Sequence, residues 1–113
     1  MRIAIIGSRT LNITSFDIYI PSVCTEIISG GAKGIDTNAR RWAEQKGLEF
    51  TEFLPDYEVY GRAAPLVRNR MMVDYADAIL AFWDGKSKGT LYTVKYAQKL
   101  GKPVALFSCD PHA

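Results

Sequence analysis

Apolar residues occur in this chain either as short continuous runs or at intervals of three and four residues. Four largely apolar runs lie at residues 2–6, 26–29, 76–83 and 104–107. Runs of this kind are typical of strands in a parallel sheet that is covered on both faces. They predict central strands at 2–6, which Gly7 closes, and at 76–83, a strand at 26–29 and a buried strand at 104–107.

A further strand is predicted at residues 48–54, where two glutamates lie among the apolar positions. Charged side chains suit a strand at the edge of a sheet. Pro55 is expected to begin a loop. Residues 12–24 are less regular, because residues 16–20 can form one or two helical turns that Pro21 would interrupt.

Three longer helices are predicted from helical spacing and from residues that begin or end helices. The first begins near Gly34 and ends at Gly47, and one side of it carries Ile35, Ala39, Trp42, Ala43 and Lys46. Pro65 suits the first position of the second helix, which runs to about residue 75. Thr90 is expected to cap the third helix, which Gly101 ends.

Strands that alternate with helices indicate a parallel sheet between two layers of helices. We therefore expect an α/β fold: a single Rossmann-like, three-layer domain with a mainly parallel five-stranded sheet. The chain has 113 residues, of which 48% are hydrophobic, enough for one core and too few for two domains. The domain is expected to span residues 1–113, with 108–113 as a tail.

The net charge, the cysteines and the length of the apolar runs disfavour several classes of protein. Fourteen basic and twelve acidic residues give a net charge of +2, which is too small to indicate a long nucleic-acid track. Cys24 and Cys109 have no metal-ligand spacing, so we expect no metal and favour reduced cysteines in the cytoplasm over a disulfide. No apolar run is long enough to cross a membrane. The only histidine, His112, lies in the tail and is a poor candidate for catalysis.

The most distinctive stretch, residues 27–36, contains a glycine-rich turn between a predicted strand and a predicted helix. Gly30, Gly31 and Gly34 allow a bound group to approach the backbone closely. The first N–H groups of the helix lack internal partners and favour an anion such as phosphate. Alternatively, the glycines only make a tight turn, and Asp36 stabilises the helix start.

Two other strands end in polar residues of the same kind. Residues 7–10, Gly-Ser-Arg-Thr, place the Ser8 hydroxyl, the Arg9 guanidinium and the Thr10 hydroxyl where they can hold a phosphate or a carboxylate; alternatively, Ser8 or Thr10 caps a turn and Arg9 points to solvent. Residues 84–90 form a second glycine-containing turn at a helix start. This turn is not a P-loop, because position 80 is Leu80 where that motif requires glycine. The alternative here is a flexible loop before a capped helix.

The helix between these loops contributes one more candidate group. Arg68 shares a helical stripe with Met72 and Tyr75, so it begins the apolar face and requires an anionic partner. Residues 68–70, Arg-Asn-Arg, can thus supply a guanidinium and an amide to a ligand; alternatively, Arg68 makes a structural ion pair with an acid such as Asp74 or Asp77. In parallel sheets ligands bind beyond the carboxyl ends of the strands, where all these loops meet. A G-x-G-x-x-G fingerprint is absent, so NAD is not expected.

Four motifs in this order resemble the SLOG superfamily, which includes the DprA/Smf proteins and the LOG cytokinin-activating enzymes. They are Gly7-Ser8-Arg9, residues 29–36, residues 68–72 and residues 81–90. The chain is most similar to the small single-domain YspA-like (DUF2493) branch. The resemblance covers nearly the whole chain, and it implies a Rossmann-like sheet and a pocket for a nucleotide or a nucleotide-derived molecule. It also implies a homodimer as one arrangement.

One residue departs from the LOG pattern. LOG-type phosphoribohydrolases carry a catalytic glutamate in a Gly-Thr-x-x-Glu motif, whereas Gly89-Thr90-Leu91-Tyr92 is followed here by Thr93. A hydroxyl cannot replace a carboxylate as the acid or base near neutral pH. The resemblance therefore favours binding over hydrolysis, with Asp36 and Asp84 as the carboxylates that would have to take over catalysis.

Three functions are consistent with these residues. The first is binding or sensing of a small nucleotide-derived ligand, with no other cofactor. The second is LOG-like N-glycosidic hydrolysis of nucleotides. The third is DprA-like binding of single-stranded DNA, which the small net charge disfavours. The residues expected to line the pocket are Gly7, Ser8, Arg9, Gly30, Gly31, Lys33, Gly34, Asp36, Arg68, Asn69, Asp84, Gly85, Ser87, Gly89 and Thr90.

Overall fold

The apolar runs form the strands of one sheet, and the segments between them form its helices. A computed structural model describes residues 1–8, 10–30 and 34–109. The strands are β1 (Arg2–Gly7), β2 (Glu26–Ser29), β3 (Glu49–Glu52), β4 (Ala78–Trp83) and β5 (Val104–Ser108). The helices are α1 (Ile35–Gln45), the short α2 (Tyr57–Tyr60) with a 3-10 turn at Gly61–Ala63, α3 (Ala64–Tyr75) and α4 (Lys88–Lys99).

The five strands are parallel and lie in the order β3-β2-β1-β4-β5. Strand β1 is therefore central and pairs on both sides, with Ile3 opposite Ile27 of β2 and Ile5 opposite Leu80 of β4. The α/β, Rossmann-like class expected from the sequence is confirmed, and the sheet is parallel throughout the described strands. The central position of β1 and the edge position of β3 are also as expected.

Alternate residues of β1 point into two hydrophobic cores, one on each face of the sheet. Ile3 and Ile5 pack with residues of α1 and with Phe16 and Phe82. On the opposite face, Ala4 and Ile6 pack with residues of α3 and α4. The molecule thus has three layers, as predicted. None of the helices in the described ranges combines the length and the apolar character needed to cross a bilayer.

Strand β5 differs from its prediction as a buried strand. It pairs only with β4 and lies at the edge of the sheet, where residues 105–108 are exposed. The prediction was wrong because an apolar edge strand and an apolar central strand have the same local sequence pattern. Their difference depends on strand order, which local sequence does not encode.

Three other local predictions also differ from the structure. Residues 12–24 contain a hydrogen-bonded turn, in which the N–H groups of Tyr19 and Ile20 donate to the carbonyl of Phe16, rather than a helix. The expected loop after Pro55 becomes α2, because a carboxylate oxygen of Asp56 accepts a hydrogen bond from the N–H of Val59 at 3.2 Å. The cap of α4 is Ser87 and not Thr90, as described below.

The close approach of α1 to β1 depends on the absence of a side chain at Gly7. A Cβ at this position would overlap Cδ1 of Ile35 and lie 3.2 Å from its Cγ1. Ile35 is the first residue of α1 and is buried against the sheet. Gly7 therefore has a packing role that is independent of any ligand.

We expect Gly7→Ala to destabilise the protein by about 1 to 3 kcal/mol, because the new methyl group overpacks the contact with Ile35. Ile35→Val removes the overlapping Cδ1 atom, so the double variant should recover part of this loss. Urea unfolding of the wild type, both single variants and the double variant measures the coupling. If the effects of the two substitutions on the free energy of unfolding are strictly additive, the contact between position 7 and Ile35 does not require glycine.

Candidate functional site

A pocket of about 340 Å³ opens at the carboxyl edge of the central strands. Nine of the residues predicted for the site line it, namely Gly7, Gly30, Asp36, Arg68, Asn69, Asp84, Ser87, Gly89 and Thr90. Six further lining residues were not in that prediction, namely Ile5, Ile6, Thr10, Pro65, Leu66 and Met72. The loops after β1, β2 and β4 and the first half of α3 therefore meet at one cavity.

The other predicted site residues have different positions. Ser8 is buried and does not line the pocket. Gly34 and Gly85 have φ angles of 80° and 84°, which only glycine adopts readily, and they shape the turns before α1 and α4. Arg9, Gly31 and Lys33 lie outside the described residues.

Four polar residues tie the loop after β1 to the loop after β4. The Ser8 hydroxyl accepts a hydrogen bond from the N–H of Asp84 at 3.2 Å and lies 3.5 Å from the Thr90 hydroxyl. One carboxylate oxygen of Asp84 accepts from the N–H of Ser87 at 2.8 Å, and the Ser87 and Thr90 hydroxyls are 3.1 Å apart. This ring of contacts holds the two loops together at the floor of the site.

Asp84 is held as an anion by hydrogen bonds to both of its carboxylate oxygens. The backbone N–H groups of Lys86 and Ser87 lower its pKa most, the Thr10 hydroxyl adds to the effect at 2.8 Å, and the pKa falls to about 2. A carboxyl with this pKa neither donates nor accepts a proton efficiently near neutral pH. The geometry therefore gives Asp84 a structural role and argues against its use as the acid or base considered from the sequence.

The first turn of α4 presents backbone donors at the pocket. Asp84 and the Ser87 hydroxyl accept hydrogen bonds from the N–H groups of Ser87 and Thr90, respectively. By helix geometry, the N–H groups of Lys88 and Gly89 have no acceptor within α4. A Cβ at Gly89 would meet nothing closer than Leu66 at 4.0 Å, so no packing contact among the described residues requires glycine there.

A second network connects Arg68 to both glycine-containing turns. One terminal nitrogen of Arg68 donates to the carbonyl of Gly30, and its Nε donates to the side-chain oxygen of Asn69 at 2.7 Å. The amide nitrogen of Asn69 donates to the Thr93 hydroxyl at 2.9 Å, and that hydroxyl donates to the carbonyl of Gly89 at 2.8 Å. We call Asn69 and Thr93 the brace, because they connect the guanidinium to the start of α4.

The brace changes the interpretation of its two residues. The oxygen of the Asn69 side-chain amide accepts from Arg68, and its nitrogen donates to Thr93. Asn69 therefore positions Arg68, whereas the sequence predicts that its amide binds the ligand. Thr93 is buried, and its hydroxyl both donates and accepts a hydrogen bond. The acids considered as ion-pair partners of Arg68 bond elsewhere, Asp74 to Tyr96 and Asp77 to Arg2.

Gly30 leaves the space that the Arg68 side chain occupies. A Cβ on Gly30 would lie 2.8 Å from Nη1 of Arg68 and 2.9 Å from its Cζ. Asp36, in the first turn of α1, is buried and accepts a hydrogen bond from the Ser29 hydroxyl. The described lining residues thus include one guanidinium and two carboxyl groups.

Neither metal chemistry nor a disulfide is supported by the part of the chain that the structure describes. Within residues 1–8, 10–30 and 34–109, no group of three or more His, Cys, Asp or Glu residues could hold a metal ion. Cys24 and Cys109 are both free thiols. The pocket lining that the structure describes contains hydroxyls, two carboxyl groups, one guanidinium, one amide and several apolar side chains.

Comparison with known proteins shows one close relationship. The chain is 42% identical over 91 residues to the Gene 61 protein of Mycobacterium phage D29, and the match covers 75% of this chain and 73% of the phage protein. No family model and no solved structure matches the chain. The phage protein's name states no activity, so the relationship assigns a family without assigning a reaction.

We expect Thr93→Val to lower the free energy of unfolding by about 1 to 3 kcal/mol, because it leaves the side-chain amide of Asn69 without its hydroxyl acceptor. The substitution preserves shape, so little of the effect comes from a cavity. Thr93→Ser is the matched control, since it keeps the hydroxyl and should be the more stable of the two variants. Denaturant unfolding measures both, and the opposite ranking would contradict the role of the brace.

The lowered pKa of Asp84 predicts how stability depends on pH. The native state favours the ionised Asp84 carboxyl, so this group stabilises the protein at pH values above its ordinary pKa of 3.8. That stabilisation is lost as the pH falls from 3.8 toward about 2. Asp84→Asn should therefore lose less stability than the wild type over that interval. Two other carboxyls also have lowered pKa values, Asp17 because of the Trp42 indole and Asp77 because of the Arg2 backbone N–H. Both titrate in the wild type and in the variant, so their effects on stability cancel when the two proteins are compared.

Melting temperatures of the wild type and Asp84→Asn, measured at steps of pH across this interval, test the prediction. Parallel curves for the two proteins would show that the Asp84 carboxylate does not stabilise the loop.

Proposed function

The chain belongs to the same family as the Gene 61 protein of Mycobacterium phage D29, and we propose that it binds or senses a nucleotide or a nucleotide-derived ligand. Binding would occur through the glycine-containing loops at the carboxyl edge of the sheet. The observation that supports this proposal most is the pocket itself, which brings the start of α4 and the Arg68 guanidinium to one cavity. We place this binding in the cytoplasm, where the free cysteines would remain reduced.

The phosphate of such a ligand would bind at the first turn of α4. The N–H groups of Lys88 and Gly89 lack acceptors within the helix, and the positive end of the helix dipole favours an anion there. Arg68 lines the same pocket and is oriented by Asn69 and Gly30. A guanidinium and helix N–H groups together form strong, charge-assisted hydrogen bonds to phosphate oxygens.

The remainder of the ligand would contact Asp36 and the apolar part of the wall. The Asp36 carboxyl lines the pocket and suits a sugar hydroxyl better than an additional phosphate group. Pro65 and Leu66 supply an apolar surface on the α3 side. A ligand with one anionic end, hydroxyl donors and an apolar part matches this set, and a nucleoside monophosphate has all three.

Hydrolysis of the N-glycosidic bond is the weaker hypothesis. Thr93 supplies a hydroxyl that is already engaged on both sides, and the pKa of Asp84, about 2, makes it an inefficient base near neutral pH. Asp36 remains the carboxyl on which a hydrolytic mechanism would have to depend. Turnover that disappears in Asp36→Asn while binding persists would favour hydrolysis over sensing.

The first experiment is native mass spectrometry of the freshly purified protein, followed by thermal-shift screening. The panel contains mononucleotides, dinucleotides, cyclic nucleotides, ADP-ribose and short oligonucleotides. A small nucleotide that is recovered intact supports binding, whereas free base with ribose phosphate indicates hydrolysis. A steep salt dependence with preference for oligonucleotides would instead indicate single-stranded DNA. If no phosphate-bearing compound raises the melting temperature, the proposal is wrong.

A binding hit should weaken at least roughly tenfold in Arg68→Ala, because a charge-assisted hydrogen bond contributes about 1.5 to 3 kcal/mol. Arg70→Ala is the control, since Arg70 lies two positions along α3 and is exposed. If the two variants bind the ligand with equal affinity, Arg68 does not contribute to ligand binding.

Gly89→Ala separates binding from stability. Alanine should stabilise α4 by about 0.5 to 1 kcal/mol relative to glycine, and its Cβ meets no close contact. The same methyl group would stand beside the open N–H groups and should weaken binding of the phosphate-bearing hit. Gln98→Ala, at an exposed position of α4, controls for helix propensity alone. A Gly89→Ala variant that binds as tightly as wild type would place the phosphate elsewhere.

A further inference from the structure

The positive charge of this chain is concentrated near its carboxyl end. Residues 85–109 contain five lysines and neither aspartate nor glutamate, whereas residues 1–84 carry eleven acidic and nine basic residues. The net charge of +2 for the whole chain therefore conceals a slightly acidic part and a strongly basic part. Helix α4 lies in the middle of the basic part.

The lysines of α4 share its solvent-facing side. Positions i, i+4, i+7 and i+11 of a helix lie on one stripe, and in α4 these positions are Lys88, Tyr92, Lys95 and Lys99. All four side chains are exposed, and the buried residues of α4 lie on the opposite side of the helix. We call Lys88, Lys95 and Lys99 the lysine stripe. Along the helix axis this stripe extends about 16 Å.

The lysine stripe makes α4 less stable than uncharged side chains would. Lys88 is the first residue of α4, where the positive end of the helix dipole disfavours a cation. Lys95 and Lys99 are four positions apart, so their charges repel each other. In residues 1–8, 10–30 and 34–109, the ion pairs join other residues, and none includes a lysine of the stripe. Within this described part of the chain, three cations therefore face solvent without a compensating anion.

The elements packed beside α4 do not neutralise the lysine stripe. The exposed charged residues of α3 are Arg70 and Asp74, which are opposite in sign. A carboxylate oxygen of Asp74 accepts a hydrogen bond from the Tyr96 hydroxyl of α4 at 2.8 Å. Strand β5 contains no charged residue, and Asp84, before α4, accepts hydrogen bonds from backbone N–H groups of its own turn. The positive charge of the stripe is therefore available to an anionic partner.

The shape and chemistry of the stripe indicate a regular chain of phosphates as the partner. Lysine acts on phosphate as a point charge without a fixed geometry, and duplex DNA carries roughly ten phosphate charges over the length of the stripe. A single strand would need a groove with several aromatic platforms, whereas Tyr92 is the one aromatic residue on this side of α4. A membrane would need an apolar helix side, and that of α4 packs on the sheet. We propose that the lysine stripe binds the backbone of duplex DNA, independently of sequence because phosphates carry no sequence information.

Fluorescence anisotropy of a labelled DNA duplex, titrated with the protein at several salt concentrations, tests the proposal. Non-specific binding of this kind has dissociation constants on the order of 1 to 100 µM. If each lysine of the stripe neutralises one phosphate, the logarithm of the affinity falls against the logarithm of the salt concentration with a slope of about −2.7. Lys95→Gln should reduce this slope to about −1.8, and Lys95→Gln combined with Lys99→Gln should reduce it to about −0.9. A slope that both substitutions leave unchanged would overturn the proposal.

Arg41→Gln is the matched control, because Arg41 is exposed on α1, across the sheet from α4, and its loss changes the net charge equally. This variant should keep the wild-type slope, and circular dichroism melts confirm that each variant is folded. Wild type that leaves the anisotropy of the duplex unchanged would contradict the proposal, as would an equal loss of slope in Arg41→Gln. A preference for the single strand, or binding to phosphatidylserine vesicles without binding to the duplex, would also contradict it. No nucleotide ligand is added, so this outcome is separate from that of the pocket experiment.

Discussion

The candidate site depends on the parallel pairing of β1 with a neighbour on each side. Because Gly7 is opposite Phe82 in the β1–β4 pair, the two strands end at the same level of the sheet. The N–H of Ser8 continues this pairing with a hydrogen bond of 3.1 Å to the carbonyl of Phe82. The loops that follow must then satisfy their own polar groups in a small space. The sheet therefore both creates the cavity and forces the surrounding side chains to bond to one another.

This requirement explains why most polar side chains at the site act on the protein rather than face a ligand. Ser8, Ser87, Asp84 and Thr10 hold the loops after β1 and β4 together. Asn69 and Thr93 do the same for Arg68 and the start of α4. The arrangement leaves the backbone of the first turn of α4 as the most direct anion donor. Such donors need no reorganisation when a ligand arrives, because the helix already orients them.

The sequence predicts the sheet well and the polar network poorly, for different physical reasons. Burial on both faces leaves a continuous apolar run, which identifies β1 and β4, and helical spacing identifies α1 from Ile35 to Ala43. Edge and central positions depend on strand order, so β5 was expected to be buried. Ser87 and Thr90 are three positions apart and both carry hydroxyls, so either fits a cap by residue type. The bond from Asn69 to Thr93 joins residues of two helices, and nothing in the local pattern around either residue indicates it.

Helix α3 combines two surfaces that usually belong to different helices. Arg68 and Met72 line the pocket from one stripe, whereas on another stripe Ala64 is buried and the Tyr75 ring packs on Phe53. A helix with contacts on several sides does not need a single apolar face, and α3 accordingly has apolar residues around most of its circumference. Met71 is the exposed member of this set. Because one rigid helix makes all these contacts, a shift of α3 on ligand binding would also reach the packing of Tyr75 on Phe53.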